Sequence, residues 1–429
     1  MTHTPTSLGA GSDSSSATRI AADVDMLATS KFTLPGLGVT RYAYTDVYAR
    51  TLHYFEEAFR ELGFDVRYDP VGTLIASNRP PGERCFGLGS HCDSVKNGGR
   101  YDGTLGVACA LEVCRLAHER GLDLPLRVFS FLEEEGSGFG QMLLGSRIML
   151  QHVSDDDLAS YCTDDGVRFV EAAREAGFGP DRHRESIVAL DGLVGWIEPH
   201  IEQGRVLQDT GYRLGVVDAI AGYIHADAKV EGRADHAGAT PMGFRSDAAI
   251  TAAEIVVELD GMARECADDV VGTVGEIRLQ PGVINVVPGT AEFTLDLRST
   301  SDAHAELAER ISAYGRSRAE ARGQRWSYRE RQRVEPMAMH ERVVNALERA
   351  ASTTGHPWRR MPSGAAHDTM LVAERVPSAM VFVPCVDGIS HAPEERADPA
   401  DAALAAEVIL AAVRDLMKVE HDACCRRRE

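Results

Sequence analysis

CFGLGSHCDSVKNGGRYDGTLGVACALEVCRLAHERGLDLPLRVFSFLEEEG, residues 85–136, decides how this chain folds. Cys85 to Gly89 is a short apolar run that ends at Ser90-His91, and Gly103 to Arg120 has helical periodicity with Gly121 as its stop. Leu126 to Leu132 is apolar throughout, as suits a strand covered on both faces. Gly192 to Ile197 repeats that picture. Upstream, Val47, Leu52, Phe55, Phe59 and Leu62 recur at helical spacing between Tyr44 and Phe64, and Asp65 to Asn78 reads as extended. Strands alternating with helices predict an α/β domain with a mixed, mostly parallel sheet.

The pattern changes after Gly215. Tyr223 to Val230, Gly275 to Leu279 and Ala291 to Leu297 alternate like half-buried antiparallel strands, and Ser246 to Cys266 and Ser301 to Ala321 are helical. These elements describe a small α+β sandwich inserted into the first domain. From Glu335 onward helices again alternate with an apolar strand, Ala379 to Val383. The expected organisation is a disordered tail over 1–18, a catalytic domain over 19–215 and 333–429, and an inserted domain over 216–332, with hinges near Gly215 and Arg333.

Composition bounds the function. A chain of 429 residues with 44% apolar and 26% charged residues has material for two domains. Its formal net charge of −20 argues against nucleic-acid backbones and anionic membranes as partners, since both would repel it. No apolar run reaches the length of a membrane span, and the Ser-, Thr- and Gly-rich start lacks both the basic and the apolar parts of a secretory signal. The nine cysteines show no zinc-type pairing, and Cys85, Cys92, Cys109 and Cys114 sit in apolar segments. A reducing cytoplasm is the expected compartment.

Six residues carry the candidate chemistry: His91, Asp102, Glu134, Glu135, His200 and His391. His91 is expected just past a strand ending at Gly89, Glu134 and Glu135 past one ending at Leu132, and His200 past one ending at Ile197. The crevice of an open α/β sheet lies at the carboxyl ends of its strands, so three strands deliver ligands to one edge. Asp102 lies 102 − 91 = 11 residues past His91 in a glycine-rich loop that lets the backbone fold back. Its two oxygens can bridge two cations, which an imidazole cannot do. Of the adjacent glutamates, one can bind a metal while the other carries a proton, and a metal pair would offset their charge. Taken singly, a buried histidine is more often a core residue and a glutamate run a solvated face. The repeated strand-end placement outweighs those readings.

The motifs resemble a known family. Gly-Ser-His-Cys-Asp-Ser at 89–94, Asn-Gly-Gly-Arg-Tyr-Asp-Gly at 97–103, Glu-Glu-Glu-Gly-Ser at 133–137, Glu-Pro-His-Ile-Glu-Gln-Gly at 198–204, Asp-His-Ala-Gly-Ala-Thr-Pro-Met at 235–242, Ser-Gly-Ala-Ala-His-Asp at 363–368 and Gly-Ile-Ser-His-Ala-Pro-Glu at 388–394 are similar to the amidase, hydantoinase and carbamoylase branch of the M20 metallopeptidases. That branch holds N-carbamoyl-L-amino acid hydrolases, allantoate amidohydrolases and β-ureidopropionases.

The resemblance implies two divalent metal ions, zinc first, with manganese, cobalt or nickel as alternatives. His91, Asp102 and His200 would hold one ion, and Asp102, Glu135 and His391 the other. Glu134 would be the general base. His236 would be lent to the partner subunit's site to hold the carbonyl oxygen. Gln203, Asn285, Arg298 and His367 would contact substrate, Arg298 through a bidentate grip on a carboxylate. The inserted domain would act as lid and homodimer interface. The family commonly has Glu-Glu-Gly-Ser-Arg-Phe where this chain has Glu134-Glu135-Gly136-Ser137-Gly138-Phe139, so a guanidinium is missing beside the loop.

The expected activity is hydrolysis of a linear C–N amide or ureido bond that is not a peptide bond, in a small molecule bearing a carboxylate. An N-carbamoyl-L-amino acid leads, followed by allantoate or another C–N compound. A dipeptidase or aminoacylase of the same family, and a binding protein without catalysis, are the alternatives from other classes.

Overall fold

In the computed structural model, which describes residues 12–266 and 269–426, the segment 85–136 folds as strand, helix and strand. Cys85–His91 and Leu126–Phe131 lie side by side and parallel, with Leu88 opposite Val128, and helix Thr104–Glu119 returns the chain between them. Every residue of both strands is buried, which is why their sequences are apolar runs rather than alternations.

The strand order is Asp65–Tyr68, Leu74–Ser77, Leu126–Phe131, Cys85–His91, Leu193–Ile201, Ser378–Val383, Leu214–Ile220 and Met337–Ala338, with Trp358–Ser363 also paired to Leu214–Ile220. The four strands from Leu126–Phe131 to Ser378–Val383 are mutually parallel, and the flanking pairs are antiparallel, so the sheet is mixed as expected. From Cys85–His91 the chain crosses to one neighbour, while Leu193–Ile201 lies on the other side. That reversal opens a crevice at the carboxyl ends of these two strands.

Two strands run further than their sequences suggest. Their ladders continue to His91 opposite Phe131 and to His200 opposite Phe382, so both histidines lie within strands rather than after them. Pro199 is tolerated because pairing with Cys85–His91 stops at Ile197, leaving that side of the strand without a donor to supply.

The expected tail over 1–18 needs correction. A helix, Ser12–Leu27, already covers its last part, and residues 1–11 lie outside the described residues. Serine and threonine are indifferent helix formers, but Ser16, Ile20, Val24 and Leu27 make one buried stripe, and packing of such a stripe decides helix formation. Arg19 adds ion pairs to Glu112 and Glu119.

The chain divides into two compact units. The first comprises the described residues up to Asp218, Met339–Met361 and those from His367 on; the second comprises Ala219–Ala338 and Pro362–Ala366. Both boundaries fall later than 215/216 and 332/333. Val216 and Val217 stay with the first unit through pairing with Val381 and Met380, and Arg333 and Val334 stay with the second through Ile224 and Tyr223. Gly215 and Arg333, the expected hinges, are paired strand residues.

The second unit is an α+β sandwich. Its sheet runs Ile277–Gln280, Thr290–Ser299, Gly222–Glu231 and Arg325–Val334, all antiparallel, with Val271–Thr273 also on Thr290–Ser299. The charged run 325–334 forms an edge strand in which Trp326 and Tyr328 alternate with exposed residues and pack on the core, while residues 329–333 are exposed throughout. Ala291, Phe293, Leu295 and Leu297 point inward against Ile255 and Leu259 of helix Ala248–Glu265 and Leu307 and Ile311 of helix Ala303–Ala321. Among the described residues no helix is long and apolar enough to cross a membrane.

Ile255 is fully buried in this second core. Ile255→Ala should cost about 2–5 kcal/mol, seen in hydrogen exchange as lost protection over 222–231 and 290–299 with no change over 85–91.

Candidate metal centre

Folding of the first unit brings His91, Asp102, Glu134, Glu135, His200 and His391 together. Asp102 is buried at their centre, and its two oxygens face different neighbours. Oδ1 lies 3.4 Å from His91 Nε2 and 3.3 Å from His200 Nε2, while Oδ2 lies 3.4 Å from His391 Nε2. His391 Nε2 is also 3.4 Å from Glu135 Oε2. His91, Asp102 and His200 form one group whose ligand atoms all lie within 4.8 Å of one another, and Asp102, Glu135 and His391 form a second.

These spacings suit metal ligands. Two ligand atoms at ~2.1 Å from a tetrahedral ion are roughly 3.4 Å apart, whereas an N–H···O bond closes to about 2.9 Å. The histidines are aimed accordingly. His91 Nδ1 is 3.2 Å from Asp93 O, and His200 Nδ1 is 2.9 Å from Ile201 O, so each ring is held on one nitrogen and turns Nε2 toward Asp102. Glu135 Oε1 is buried without a hydrogen-bond partner, an orphaned anion of the kind a cation would satisfy.

The electrostatics agree. Burial pushes Glu134 well above the usual carboxylate range, with the charges of Glu135, Asp368 and Asp93 adding to it and His91 opposing. Burial and the Asp102 charge push Glu135 up to about 8. Burial would lower His91, but Glu134 and the bonds to Asp102 and Asp93 outweigh it and carry the ring well above its ordinary value. His391 is pushed up to about 9, chiefly by its hydrogen bond to Asp102. With protein groups alone the cluster holds extra protons; divalent ions would replace them.

The three consecutive glutamates differ in task. Glu133, at φ +51°, re-aims the chain after the strand, and its Oε1 accepts from the amides of Gly138 and Phe139. Glu134 is buried with Oε2 3.6 Å from His91 Nε2, and Glu135 faces His391. A Cβ at Gly138 would stand 2.8 Å from Glu133 Oε2, so the glycine lets the loop close on that carboxylate.

Gln203 and His367 also lie here. Gln203, at φ +60°, donates from Nε2 to Asp102 Oδ2 at 2.8 Å, so it touches a ligand directly. His367 packs its ring 4.6 Å from that of His200, and burial keeps it well below its ordinary pKa, hence neutral. Glu198, His200 and His367 form a third cluster, but both Glu198 oxygens are taken by Ser90 and Thr369, which assigns Glu198 a bracing role.

His236, Asn285 and Arg298 belong to the second unit. His236 is on the short ribbon Asp235–His236 with Val286–Val287, exposed, its Nδ1 accepting from the amides of Gly238 and Ala239 at 3.1 Å. Asn285 borders that ribbon, its carbonyl accepting from Ala237 N at 2.9 Å. Arg298 makes a bidentate pair, but with Asp296: Nε and Nη2 each lie 2.9 Å from a carboxylate oxygen, and Nη1 donates to Gly364 O at 2.8 Å. The carboxylate in its fork is the protein's own.

Three supporting residues escaped the sequence reading. Asp93 Oδ2 accepts from Glu135 N at 2.9 Å, tying the two ligand loops together. Glu395 Oε1 accepts from Tyr101 N at 2.8 Å and Asp102 N at 3.0 Å, and Ser390 Oγ bridges Glu395 Oε2 to Asp102 Oδ2. Asp93 and Ser390 stand inside the quoted motifs and Glu395 directly after one, so position was the available signal. Their bonding partners were not.

The family model for peptidase family M20/M25/M40 matches residues 87–415. An N-carbamoyl-L-amino-acid amidohydrolase of Paenarthrobacter aurescens is 38% identical over 392 residues, covering 90% of this chain and 95% of its own. An allantoate amidohydrolase of Escherichia coli is 33% identical over 379 residues, covering 86% of this chain and 90% of its own. Among solved structures, an amidase of the hydantoinase/carbamoylase family from Burkholderia multivorans superposes with a TM-score of 0.85 at 30% identity, over 94% of this chain and 97% of that one. The matched span runs from before His91 to beyond His391, and the chain belongs to peptidase family M20/M25/M40.

Proposed function

We propose that this protein is a binuclear metal-dependent amidohydrolase whose substrate is an N-carbamoyl-L-amino acid, released as the free amino acid with ammonia and carbon dioxide. The coarser activity is that of a hydrolase of carbon–nitrogen bonds other than peptide bonds, the class to which the relatives named above belong. The observation that carries the binuclear reading is Asp102, whose separate oxygens face two candidate ligand groups; the choice of substrate is supported by the likeness to the N-carbamoyl-L-amino-acid amidohydrolase.

Divalent ions held by His91, Asp102 and His200 and by Asp102, Glu135 and His391 would lower the pKa of water and stabilise charge developing on the substrate oxygen. Zinc is the first candidate for a histidine and carboxylate donor set. Glu134 takes a proton from the attacking water and delivers it to the leaving nitrogen. Its burial and raised affinity for protons suit a group that must both accept and release one. Gln203, His367, Asn285 and Arg298 are the residues proposed to contact the substrate. A substrate carboxylate reaching Arg298 has to displace Asp296 from its fork.

The partner is a second copy of this chain, with His236 acting in the other subunit. Met242, Phe244 and Ile284, at 76%, 74% and 101% exposure, surround the His236 ribbon with apolar surface of the kind that marks an interface. The free thiols support a reducing cytoplasm as its location.

An ammonia-release screen over N-carbamoyl amino acids, allantoate, aryl amides and dipeptides, with several divalent metals, should give turnover first with carbamoyl amino acids. Glu134→Gln should lower kcat by about 100-fold or more while retaining its metal content by elemental analysis. Binding of carbamoyl amino acids without ammonia release would overturn the enzyme reading, and turnover confined to dipeptides would replace it. Metal binding has a defined sign with pH. Because the ligand histidines of the metal-free protein are raised above about 6.5, His391 to about 9, protons compete with the ion. Affinity should rise from neutral pH toward pH 9 with proton uptake by buffer in calorimetry, and a flat profile would contradict this. Sedimentation should show a dimer that Phe244→Asp dissociates; a monomeric parent protein would remove the trans role of His236.

A further inference from the structure

Arg41 is fully buried, at 1% exposure, and lies beneath the loops that carry the metal ligands. Its guanidinium donates from Nε to Phe32 O at 3.0 Å, from Nη1 to Cys92 O at 2.8 Å and Thr104 Oγ1 at 3.1 Å, and from Nη2 to Leu27 O at 2.6 Å. Its backbone is tied in as well, donating to Ser94 Oγ at 3.0 Å and accepting from Ser94 N at 3.0 Å. All of these acceptors are neutral. Burial lowers its pKa, yet arginine keeps its charge in proteins. A buried cation without a bound carboxylate is a poor way to fill a core, so its use here lies in the geometry of its donors.

The acceptors show what that geometry fixes. Cys92 lies between His91 and Asp93, and Thr104 opens the helix directly after Asp102 and Gly103. These two turns approach very closely, since a Cβ on Gly103 would stand 2.3 Å from His91 Cε1. Asp93 in turn holds the Glu135 amide. A shift of the Cys92 turn therefore moves a ligand of each group. Among the described residues only Arg41 bonds both turns from one side chain, and through Leu27 it links them to the end of the N-terminal helix.

We propose that Arg41 is a positioning residue of the metal centre, setting the spacing between the His91 turn and the Asp102 turn and tying it to helix Ser12–Leu27. The inference rests on the binuclear reading above. Its test uses cobalt-substituted protein, whose visible absorption reports ligand geometry apart from activity. The parent protein should bind two cobalt ions; if it binds none, the binuclear reading itself fails. Against a cobalt-binding parent, Arg41→Met should weaken cobalt affinity by about 10- to 100-fold and alter the spectrum while far-UV circular dichroism stays unchanged. Arg41→Gly should regain the parent spectrum on addition of millimolar guanidinium. Arg115→Met, which breaks an ion pair with Asp23 of the same helix away from the site, should lower the unfolding midpoint and leave the spectrum alone. Parent-like affinity and spectrum in Arg41→Met, with only a lowered unfolding midpoint, would make Arg41 a brace of the fold and overturn the proposal. Should Arg41→Met fail to fold, Thr104→Val removes one acceptor at nearly constant volume, and a parent-like spectrum there overturns it equally.

Discussion

A single buried carboxylate that belongs to two ligand groups at once governs this site. Asp102 can do so only if its oxygens are kept apart in role, one toward His91 and His200 and the other toward His391. Glu395 holds its backbone, and Gln203 and Ser390 hold its outer oxygen. Burial would ordinarily favour the protonated acid, yet the histidines around it keep Asp102 well below the usual carboxylate range. Burial is the main reason the neighbouring glutamates retain protons when no cation is present, with the Asp102 charge adding to it at Glu135 and the charges of Glu135, Asp368 and Asp93 at Glu134.

Much of this was readable from the chain alone, because the physics involved is local. Apolar runs such as 126–131 identify strands buried on both faces, and their ends identify the crevice once the sheet is known to be parallel. The inserted sandwich shows in the alternation of 290–299. What stayed hidden depends on partners distant in sequence. The helix over 12–27 is stabilised by packing rather than propensity, and the edge strand 325–334 alternates only at Trp326 and Tyr328 within a run of charge. The bonds of Arg41 to Cys92 and Thr104 span 51 and 63 positions.

The expected substrate contacts show the same limit more sharply. Arg298 reads as a free cation in sequence, but two residues away stands Asp296, and a strand places residues i and i+2 on the same face. The fork is therefore closed by a neighbour that periodicity could have named. Gln203 likewise turns its amide onto Asp102, from a left-handed backbone position next to Glu202, which accepts from Val206 N and Leu207 N.

Position 103 has no side chain and no charge, yet the space it leaves empty is what lets the Asp102 turn lie against the His91 ring. Alanine at 103 would meet the His91 ring at 2.3 Å from a backbone already at φ +60°. The empty space beside a candidate metal ligand is thus itself a constraint on what this chain can carry at position 103.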